Sequence, residues 1–434
     1  MLRLARAFRR DILSALPARL YHAWMAEFRG PLIHSFLCNH PDLIKIILQD
    51  RTRDFPKSAR LQVGLAPLLG KSVFVANGPD WEFQRRIIDP AFEGGRLRHA
   101  LGQIWDATES SIARLTPGER DIEPAVTHLA ADVMFRTLFS IPIGNGLAER
   151  VYRAFRDHQD SQPIVNPAAL LPWPSWLPRP HSRRTRASAD RIRSLIVALV
   201  AIRARAIANG DAPDDLATKI MTTPDPLTGR YFTQAEVVDQ IALFFLAGHE
   251  TSAAALSWTL WLLAANPDWQ DRVAIEARDL QRNFGALAKL RVTRAVFREA
   301  MRLYPPVPMM VREATSEENF RQRKVPKGAQ LVISPWHLHR HERLWHDPDA
   351  FDPDRWLETT RTPATRDAYM PFSVGPRACP GAGFAMMEGV LSTALITRAF
   401  RMHPGADLPV PQARLTLRGR DGIIIRMEHR KDDG

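Results

Sequence analysis

Cysteine is scarce in this chain of 434 residues, which contains only Cys38 and Cys379. Two cysteines cannot form a disulfide-rich scaffold, nor a zinc or iron–sulfur site made of cysteine alone. A single disulfide remains open, although two free thiols in a reducing compartment is the interpretation that we favour. Any metal chemistry therefore requires histidine ligands or a prosthetic group.

Long hydrophobic runs are also missing, because no stretch has the length and apolar purity of a membrane-spanning helix. The N-terminal segment is basic and amphipathic, but it lacks the continuous apolar core and the cleavage site of a secretory signal. We therefore expect a soluble, cytoplasmic protein without a transmembrane anchor. Residues 1–30 are expected to be amphipathic or loosely packed.

Basic residues outnumber acidic ones, giving a formal net charge of +12. They are spread along the chain without a compact nucleic-acid motif, so we expect no nucleic-acid partner. The densest run, Arg179 to Arg193, precedes an apolar helical periodicity. A solvated helix start is the simpler interpretation of this run, and a docking surface for an acidic partner is the alternative.

Helix signals dominate the remaining pattern. Thr233 and Glu236 form a capping-box sequence that opens a long apolar segment, which ends at Ala265 before Asn-Pro. Further helices are predicted over Trp81–Ile88, with Asp80 as the N-cap, and over Arg291–Tyr304. The fold class is therefore mostly α with a small β region.

Strand signals are few. They comprise Gln330–Ser334 and a predicted hairpin in which Leu415–Leu417 pairs with Ile423–Arg426. Between the helices, the segment from Pro163 to Pro180 is too apolar for an ordinary solvated loop. We expect it either to pack on the core or to cover an apolar pocket.

The segment from Phe372 to Gly383 carries most of the chemical information. Glycines on both sides of Cys379 allow the backbone to approach a flat ligand closely, and the apolar run that follows is helical. A cysteine before a helix N-terminus is favoured as a thiolate. On these local grounds alone, a buried structural cysteine remains the competing interpretation.

The middle of the long apolar helix contains Gly248, Glu250 and Thr251. A glycine inside a helix costs roughly 1 kcal/mol relative to alanine, so it requires a reason. An acid in an apolar stretch is also costly unless it is paired or hydrated. Taken alone, the segment is consistent with a helix kink beside a hydrogen-bonded threonine.

One rival metal site contains His337, His339, His341 and His346. Alternation along a strand would place the first three on one face, where they could bind zinc or copper. Three histidines on one face are necessary for such a site but not sufficient, so we regard an ordinary strand and loop as the better interpretation.

The cysteine segment resembles the haem-binding loop of the cytochrome P450 family at every fixed position. The matching residues are Phe372, Gly375, Arg377, Cys379 and Gly381. The resemblance implies that Cys379 binds the iron of haem b, that Phe372 shields the sulfur, and that Arg377 pairs with a haem propionate. Ala385 would then face the porphyrin.

Other segments resemble the family in the required order. Ala247 would lie over the distal haem face, Gly248 would open the helix to O₂ and water, Thr251 would orient a proton relay, and Glu250 would connect it to solvent. The resemblance also implies that one set of residues contacts the propionates and that another braces the cysteine loop. The first set comprises Trp81, Arg85 and Arg312, and the second comprises Glu299, Arg302 and Arg355.

The implied fold is a single domain over residues 1–434, which replaces the two or three domains that the length alone predicts. It is a triangular prism with the haem between the long central helix and the helix after the cysteine loop. We expect a monomer.

The implied activity is monooxygenation of an apolar small molecule by O₂, with electrons from NAD(P)H through a ferredoxin and a ferredoxin reductase. A fatty acid, terpenoid, steroid or hydrophobic aromatic substrate is compatible with the apolar segments. A peroxide-driven or rearranging haem-thiolate enzyme and a non-catalytic haem sensor remain as alternatives.

Overall fold

The computed structural model describes residues 13, 16–30, 34–93, 95–161, 181–357 and 363–430. The apolar segment Pro163 to Pro180, for which we predict either core packing or a lid, lies outside the described residues. Of the N-terminal segment 1–30, residues 1–12 also lie outside them. Leu20 and Met25 are buried, so the later part of that segment is packed.

Helices form most of the described structure. They are α1 (Pro41–Lys45), α2 (Ala59–Leu69), α3 (Gly78–Phe92), α4 (Arg96–Ile112), α5 (Glu123–Phe139), α6 (Gly146–Ser161), α7 (Arg183–Asn209), α8 (Leu216–Thr222), α9 (Gln234–Ala265), α10 (Pro267–Ala277), α11 (Arg291–Leu303), α12 (Pro335–Leu338), α13 (Asp354–Leu357), α14 (Pro363–Ala368) and α15 (Ala382–Ala399). In the described part of the chain, none is both long enough and apolar enough to cross a membrane.

Helix α9 runs through the centre of the molecule. The predicted capping box is present, since Thr233 accepts the N–H of Glu236 and the Glu236 carboxylate accepts the N–H of Thr233. The helix ends at Ala265, before Asn266-Pro267, as the sequence predicts. It packs against α5, α7, α11 and α15. Because neighbours surround it, nearly the whole helix is buried, which explains why its sequence is apolar on every face.

Short strands form the β region. They are β1 (Met25–Arg29), β2 (His34–Cys38), β3 (Gly118–Asp121), β4 (Met310–Glu313), β5 (Glu318–Phe320), β6 (Arg323–Val325), β7 (Gln330–Ile333), β8 (Phe400–Pro404), β9 (Pro411–Ala413), β10 (Leu417–Gly419) and β11 (Ile424–His429). The largest sheet has the order β1-β2-β7-β4, in which only β2 and β7 are parallel. A three-stranded sheet has the order β3-β11-β8.

The predicted C-terminal hairpin is wrong. Strand β10 pairs with β9, which directly precedes it, so that Leu417 lies opposite Ala413. Strand β11 is instead the central strand of its sheet, and β3 and β8 occupy its two edges. Strand β11 is therefore hydrogen-bonded on both sides, by β3 and by β8, so no side of it is free to pair with β10.

Two local predictions also need correction. Helix α3 begins at Gly78 after Asn77, three residues earlier than an Asp80 N-cap would place it, because Pro79 fits the first turn of a helix. The segment around His337 is the short helix α12 rather than a strand, and Ser334 caps it by accepting the N–H of His337.

Candidate functional site

The cysteine loop is folded against the N-terminal part of the chain. Gly375 has φ of +76°, and a Cβ atom there would lie 2.2 Å from the carbonyl oxygen of Leu48. Only glycine fits such a position. The loop closes on itself through the N–H of Cys379, which donates to the carbonyl oxygen of Phe372 over 2.9 Å. The glycine and the phenylalanine of the motif therefore fix the backbone at the cysteine.

The thiol of Cys379 lies just before helix α15, and the residue is exposed. A Cβ atom at Gly381 would lie 3.9 Å from the sulfur, so this glycine stands directly beside it. Although Cys379 keeps accessible surface, desolvation by the surrounding protein raises the pKa of its thiol, and the Gly381 N–H and the charge of Arg85 oppose that rise. Ala385 lies one turn into the helix, where its N–H donates to the carbonyl oxygen of Gly381.

Arg377 connects the cysteine loop to the start of α3. Its guanidinium donates to the carbonyl oxygen of Ala76 and to Oδ1 of Asn77, each over 3.0 Å. It also lies over the ring of Trp81, 4.3 Å from the centroid. Burial and the charges of neighbouring arginines lower the pKa of Arg377 to about 10. The structure thus brings together Arg377 and Trp81, two residues that are distant in sequence and that the family resemblance assigns to the haem propionates.

Two further predicted arginines belong to the same group. Arg85 donates to the carbonyl oxygen of Ala378 over 2.9 Å and pairs with Asp89 at 2.8 Å. Arg312, on β4, is 5% exposed, and burial lowers its pKa to about 10. Among the described residues, the guanidinium of Arg312 makes one hydrogen bond, to the carbonyl oxygen of Val311.

Sequence reasoning missed Lys57, a fourth cation in this group. Burial and the charges of Arg312, Arg377 and Arg85 lower its pKa well below the usual range of lysine. Its ammonium lies 3.7 Å from the ring centroid of Phe74 and donates to the carbonyl oxygen of the same residue. Nothing in the sequence around Lys57 marks it, because the contacts come from segments far along the chain.

The group carries too little negative charge of its own. Among the residues that the structure describes, Lys57, Arg312 and Arg377 form no ion pair with a carboxylate, and their partners are carbonyl and amide oxygens and aromatic rings. Desolvated cations are costly unless an anion compensates them. The two carboxylates of a haem, bound beside an accessible cysteine thiol, are an anion of this kind.

Helix α9 has one accessible stripe. Between Val237 and Ala264, every residue is buried except Ala247, Gly248 and Thr251, which lie at i, i+1 and i+4. The helix is continuous through Gly248, so the glycine does not break it. A Cβ atom there would lie 2.4 Å from the sulfur of Met134 on α5, so this glycine permits close packing of two helices.

The polar groups on α9 have different partners. The hydroxyl of Thr251 donates to the carbonyl oxygen of Ala247 over 2.7 Å. Glu250 is 5% exposed and one of its oxygens lies 3.4 Å from Arg418, whereas Oε2 has no partner among the described residues. Burial raises the pKa of Glu250 to about 7, and Arg418 opposes that rise.

Ser252 ties the central helix to α15. Its hydroxyl donates to the carboxyl group of Glu388 over 2.7 Å, and both residues are buried. Burial raises the pKa of Glu388 to about 8. Because Ser252 follows Thr251 and Glu388 lies one turn beyond Ala385, this bond holds the two predicted haem-facing segments next to each other.

The predicted bracing cluster is present. Arg302 donates to both oxygens of Glu299, over 2.8 and 2.9 Å, and both residues are fully buried. Arg355 approaches Glu299 no closer than 3.4 Å. The indole N–H of Trp356 donates to the Glu299 carboxylate over 2.8 Å. Trp356 was not predicted as a partner, and it makes the closer contact.

The rival metal site is not supported by the geometry. In the described ranges, no group of three or more histidine, cysteine or acidic residues is arranged to hold a metal ion. Each buried histidine has another role: Nδ1 of His337 bonds Ser334, Nε2 of His339 accepts the N–H of Met370, and His341 stacks on Trp24 at 4.1 Å.

Comparisons with known proteins agree with this geometry. A family model described as Cytochrome P450 matches residues 20–425. A cyclooctat-9-en-7-ol 5-monooxygenase of Streptomyces melanosporofaciens is 32% identical and the alignment covers 91% of this chain and 85% of that protein. A cytokinin hydroxylase of Arabidopsis thaliana is 29% identical, with 88% and 77% covered.

The fold has a counterpart among solved structures. The crystal structure of the cytochrome P450DA heme domain superposes with a TM-score of 0.78 at 23% identity, covering 94% of this chain and 90% of that one. The predicted mostly α fold with a small β region is thereby confirmed. The chain belongs to the cytochrome P450 family and is a monooxygenase whose cofactor is haem b.

Proposed function

We propose that this monooxygenase inserts one oxygen atom from O₂ into an apolar small molecule, with electrons from NAD(P)H that an external ferredoxin delivers. The observation that supports the site most strongly is that three cations of the group around the cysteine loop, Lys57, Arg312 and Arg377, have no carboxylate partner among the described residues. We assign Cys379 as the iron ligand and Arg377, Arg312, Arg85 and Lys57 as the residues that compensate the propionates.

The bound haem supplies the redox chemistry that activates O₂, and a thiolate ligand favours O–O cleavage. The protein residues hold and supply what this chemistry needs. Phe372 and Gly381 keep the Cys379 backbone and sulfur in place, while Trp81 stacks on Arg377. Ala385 and Ala247 would present small side chains to the macrocycle.

Proton delivery is assigned to Glu250 and Thr251. The pKa of Glu250, about 7, lets its carboxyl group both hold and release a proton near neutral pH. The hydroxyl of Thr251 lies on the accessible stripe, where it can pass a proton towards the reacting oxygen. An intact acid–hydroxyl pair favours a reductive monooxygenase over a peroxide-driven or rearranging enzyme.

The assignment of Cys379 is tested by the absorbance of the reduced, CO-bound protein. The wild-type chain should show the red-shifted Soret band of a thiolate ligand, and Cys379→Ala should not. Cys38→Ala is the matched control, because Cys38 is buried and its thiol has a pKa of about 12. Loss of the band in Cys38→Ala but not in Cys379→Ala would overturn the assignment.

For the substrate, we expect an apolar molecule, because two of the three residues of the accessible stripe of α9, Ala247 and Gly248, are apolar. A panel of ligands scored by the haem spin-state shift should begin with cyclooctat-9-en-7-ol, the compound in the name of a relative that is 32% identical. Fatty acids and steroids are its comparators. Ligand-stimulated NADPH consumption would separate an enzyme from a haem sensor.

For the electron donor, the excess of basic residues suits an acidic ferredoxin. Reduction by such a ferredoxin should slow as ionic strength rises, since salt screens attraction between surface charges. A rate that is independent of salt would contradict the charge argument without affecting the assignment of Cys379.

A further inference from the structure

Arg418 lies between two acidic residues that belong to different helices. On one side it is 3.4 Å from Glu250 of α9. On the other, the N–H of the next residue, Gly419, donates to Oε1 of Glu123 over 3.1 Å, and the charge of Arg418 acts on that carboxylate. Strand β10 therefore connects the acid on the central helix to an acid at the start of α5.

The two acids differ in access to solvent. Glu250 is buried, whereas Glu123 is partly exposed. Arg418 is itself 28% exposed at its side chain. The order of the three residues is therefore a path from the interior to the surface, with a permanent cation in the middle.

Both carboxyl groups are set to exchange protons near neutral pH. Burial raises the pKa of Glu123 to about 7 and that of Glu250 to about 7. Around Glu123, the Gly419 N–H and the charges of Arg418 and Arg414 lower the pKa, and Asp121 raises it. Around Glu250, Arg418 lowers it.

The neighbouring titratable groups do not replace these acids. His249, next to Glu250, is fully buried, and burial lowers its pKa to about 4, so it is neutral at pH 7. Tyr152 lies near enough to feel Arg418, but burial raises its pKa above the usual range of tyrosine. Neither group changes charge between pH 6 and 8.

The pair with Arg418 leaves Glu250 incompletely hydrogen-bonded. Its Oε2 has no partner among the described residues, and the one contact to Arg418 is long. A buried polar atom without a partner is costly, so its retention requires a reason. An oxygen that must receive and release a proton is such a reason.

We propose that Glu123 is the outer acid of a proton route that supplies Glu250, with Arg418 as the residue that positions both carboxyl groups. Glu123 takes a proton from solvent, a bridging water carries a proton to Glu250, and Glu250 passes one to the Thr251 hydroxyl. Each group gains one proton and loses one, so the step is a net transfer from solvent and involves no electrons. Arg418 stays charged throughout.

The proposal rests on the proposed function, and Glu123→Gln tests it. Glutamine keeps an oxygen that accepts the Gly419 N–H but cannot transfer a proton as an acid. Glu119→Gln, four residues earlier on β3 and exposed, removes the same charge and is the matched control. The first measurement, on the haem-bound protein, is the infrared C=O band of protonated carboxyl groups between pH 5 and 9.

We expect Glu123→Gln to remove one carboxyl titration near pH 7 and to leave the titration of Glu250 in place. Glu119→Gln should leave the titration unchanged. An unchanged titration in Glu123→Gln would overturn the proposal. This readout does not depend on turnover.

The second measurement is the rate of NADPH oxidation with a [2Fe–2S] ferredoxin and its reductase, in H₂O and in D₂O. A positioned proton donor contributes about a hundredfold or more, and Glu250 remains in the variant, so we expect Glu123→Gln to lower the rate roughly tenfold above pH 7 and to raise the solvent isotope effect. Glu123→Asp should restore most of the rate.

The variants separate this proposal from the proposed function. If Glu250→Gln slows turnover and Glu123→Gln does not, the outer acid is wrong and the relay through Glu250 stands. If neither variant changes the rate or the isotope effect, both proton assignments fail. If Glu123→Gln slows turnover but Glu123→Asp does not restore it, the role of Glu123 is structural and the proposal fails.

Discussion

Two buried acids of this molecule, Glu299 and Glu250, differ in how many hydrogen bonds their carboxylates accept. Glu299 accepts four hydrogen bonds, two from Arg302, one from the Trp356 indole and one from the N–H of Asp352. Glu250 has one long contact and an oxygen without a partner in the described structure. A buried carboxylate whose oxygens are all hydrogen-bonded stabilises the fold. A buried carboxylate with an oxygen that lacks a hydrogen bond is available for chemistry.

The largest expected difference is in stability. Glu299→Gln should lower the free energy of unfolding by about 3–5 kcal/mol, because it leaves the buried Arg302 without its counter-charge. Glu250→Gln should not lower it, since the glutamate already carries a burial penalty. Urea unfolding at pH 7, followed by circular dichroism, measures both. Equal losses of unfolding free energy in the two variants would show that Glu250 stabilises the fold as much as Glu299 does.

The next effect ranks the partners of Glu299. Trp356→Phe should cost about 1.5–3 kcal/mol, since it removes a hydrogen bond to a buried charge. Arg355→Met should cost less than about 1 kcal/mol, because Arg355 lies 3.4 Å from the carboxylate. The same unfolding experiment applies. A larger loss for Arg355→Met would restore the arginine as the main third member of the cluster.

The sequence was sufficient to predict those parts of the fold and site whose signal lies within one segment of the chain. The cysteine loop is recognisable because Gly375 must adopt positive φ against Leu48, and α9 because its capping box and its Asn-Pro end are contiguous with it. It was insufficient where two distant segments meet. Arg418 is 168 residues from Glu250, and no pattern at either position shows the contact.

The same reason explains the errors. The hairpin was predicted from two neighbouring apolar runs, but β11 pairs with β3, about three hundred residues earlier. Lys57 was missed because burial among distant arginines, and not its own neighbours in sequence, makes it part of the site. Contacts between segments that are remote in sequence determine both the pairing of β11 and the membership of Lys57 in the cationic group.

A third buried acid extends the comparison. Glu388 is 2% exposed and accepts one described hydrogen bond, from Ser252. Its pKa is about 8 in the folded chain against 4.5 as a free side chain, so between these values the folded state holds a proton that the unfolded state has lost. Stability should then fall as pH rises from 4.5 to 8, by at most about 1.4 kcal/mol per unit.

Glu388→Gln should flatten that part of the stability profile, because glutamine is neutral at every pH and can still accept the Ser252 hydroxyl. The profile is measured by urea unfolding from pH 5 to 9. Glu109→Gln, at an exposed position of α4, is the matched control and should follow the wild-type profile. A profile for Glu388→Gln that falls as steeply as the wild type would contradict a buried neutral acid.

A smaller effect of the same kind as that of Glu388 concerns Glu250 itself. Its pKa of about 7 is also raised, so its contribution has the same sign as that of Glu388: stability falls as pH rises from 4.5, and the fall ends near pH 7 rather than near pH 8. Glu250→Gln should therefore match the wild type below pH 5 and exceed it above pH 7, by less than Glu388→Gln does. Glu299→Gln should be less stable than the wild type over the same range. If Glu250→Gln were instead destabilised above pH 7, its pair with Arg418 would be a structural bond, and the incomplete hydrogen bonding of Glu250 would carry no functional meaning.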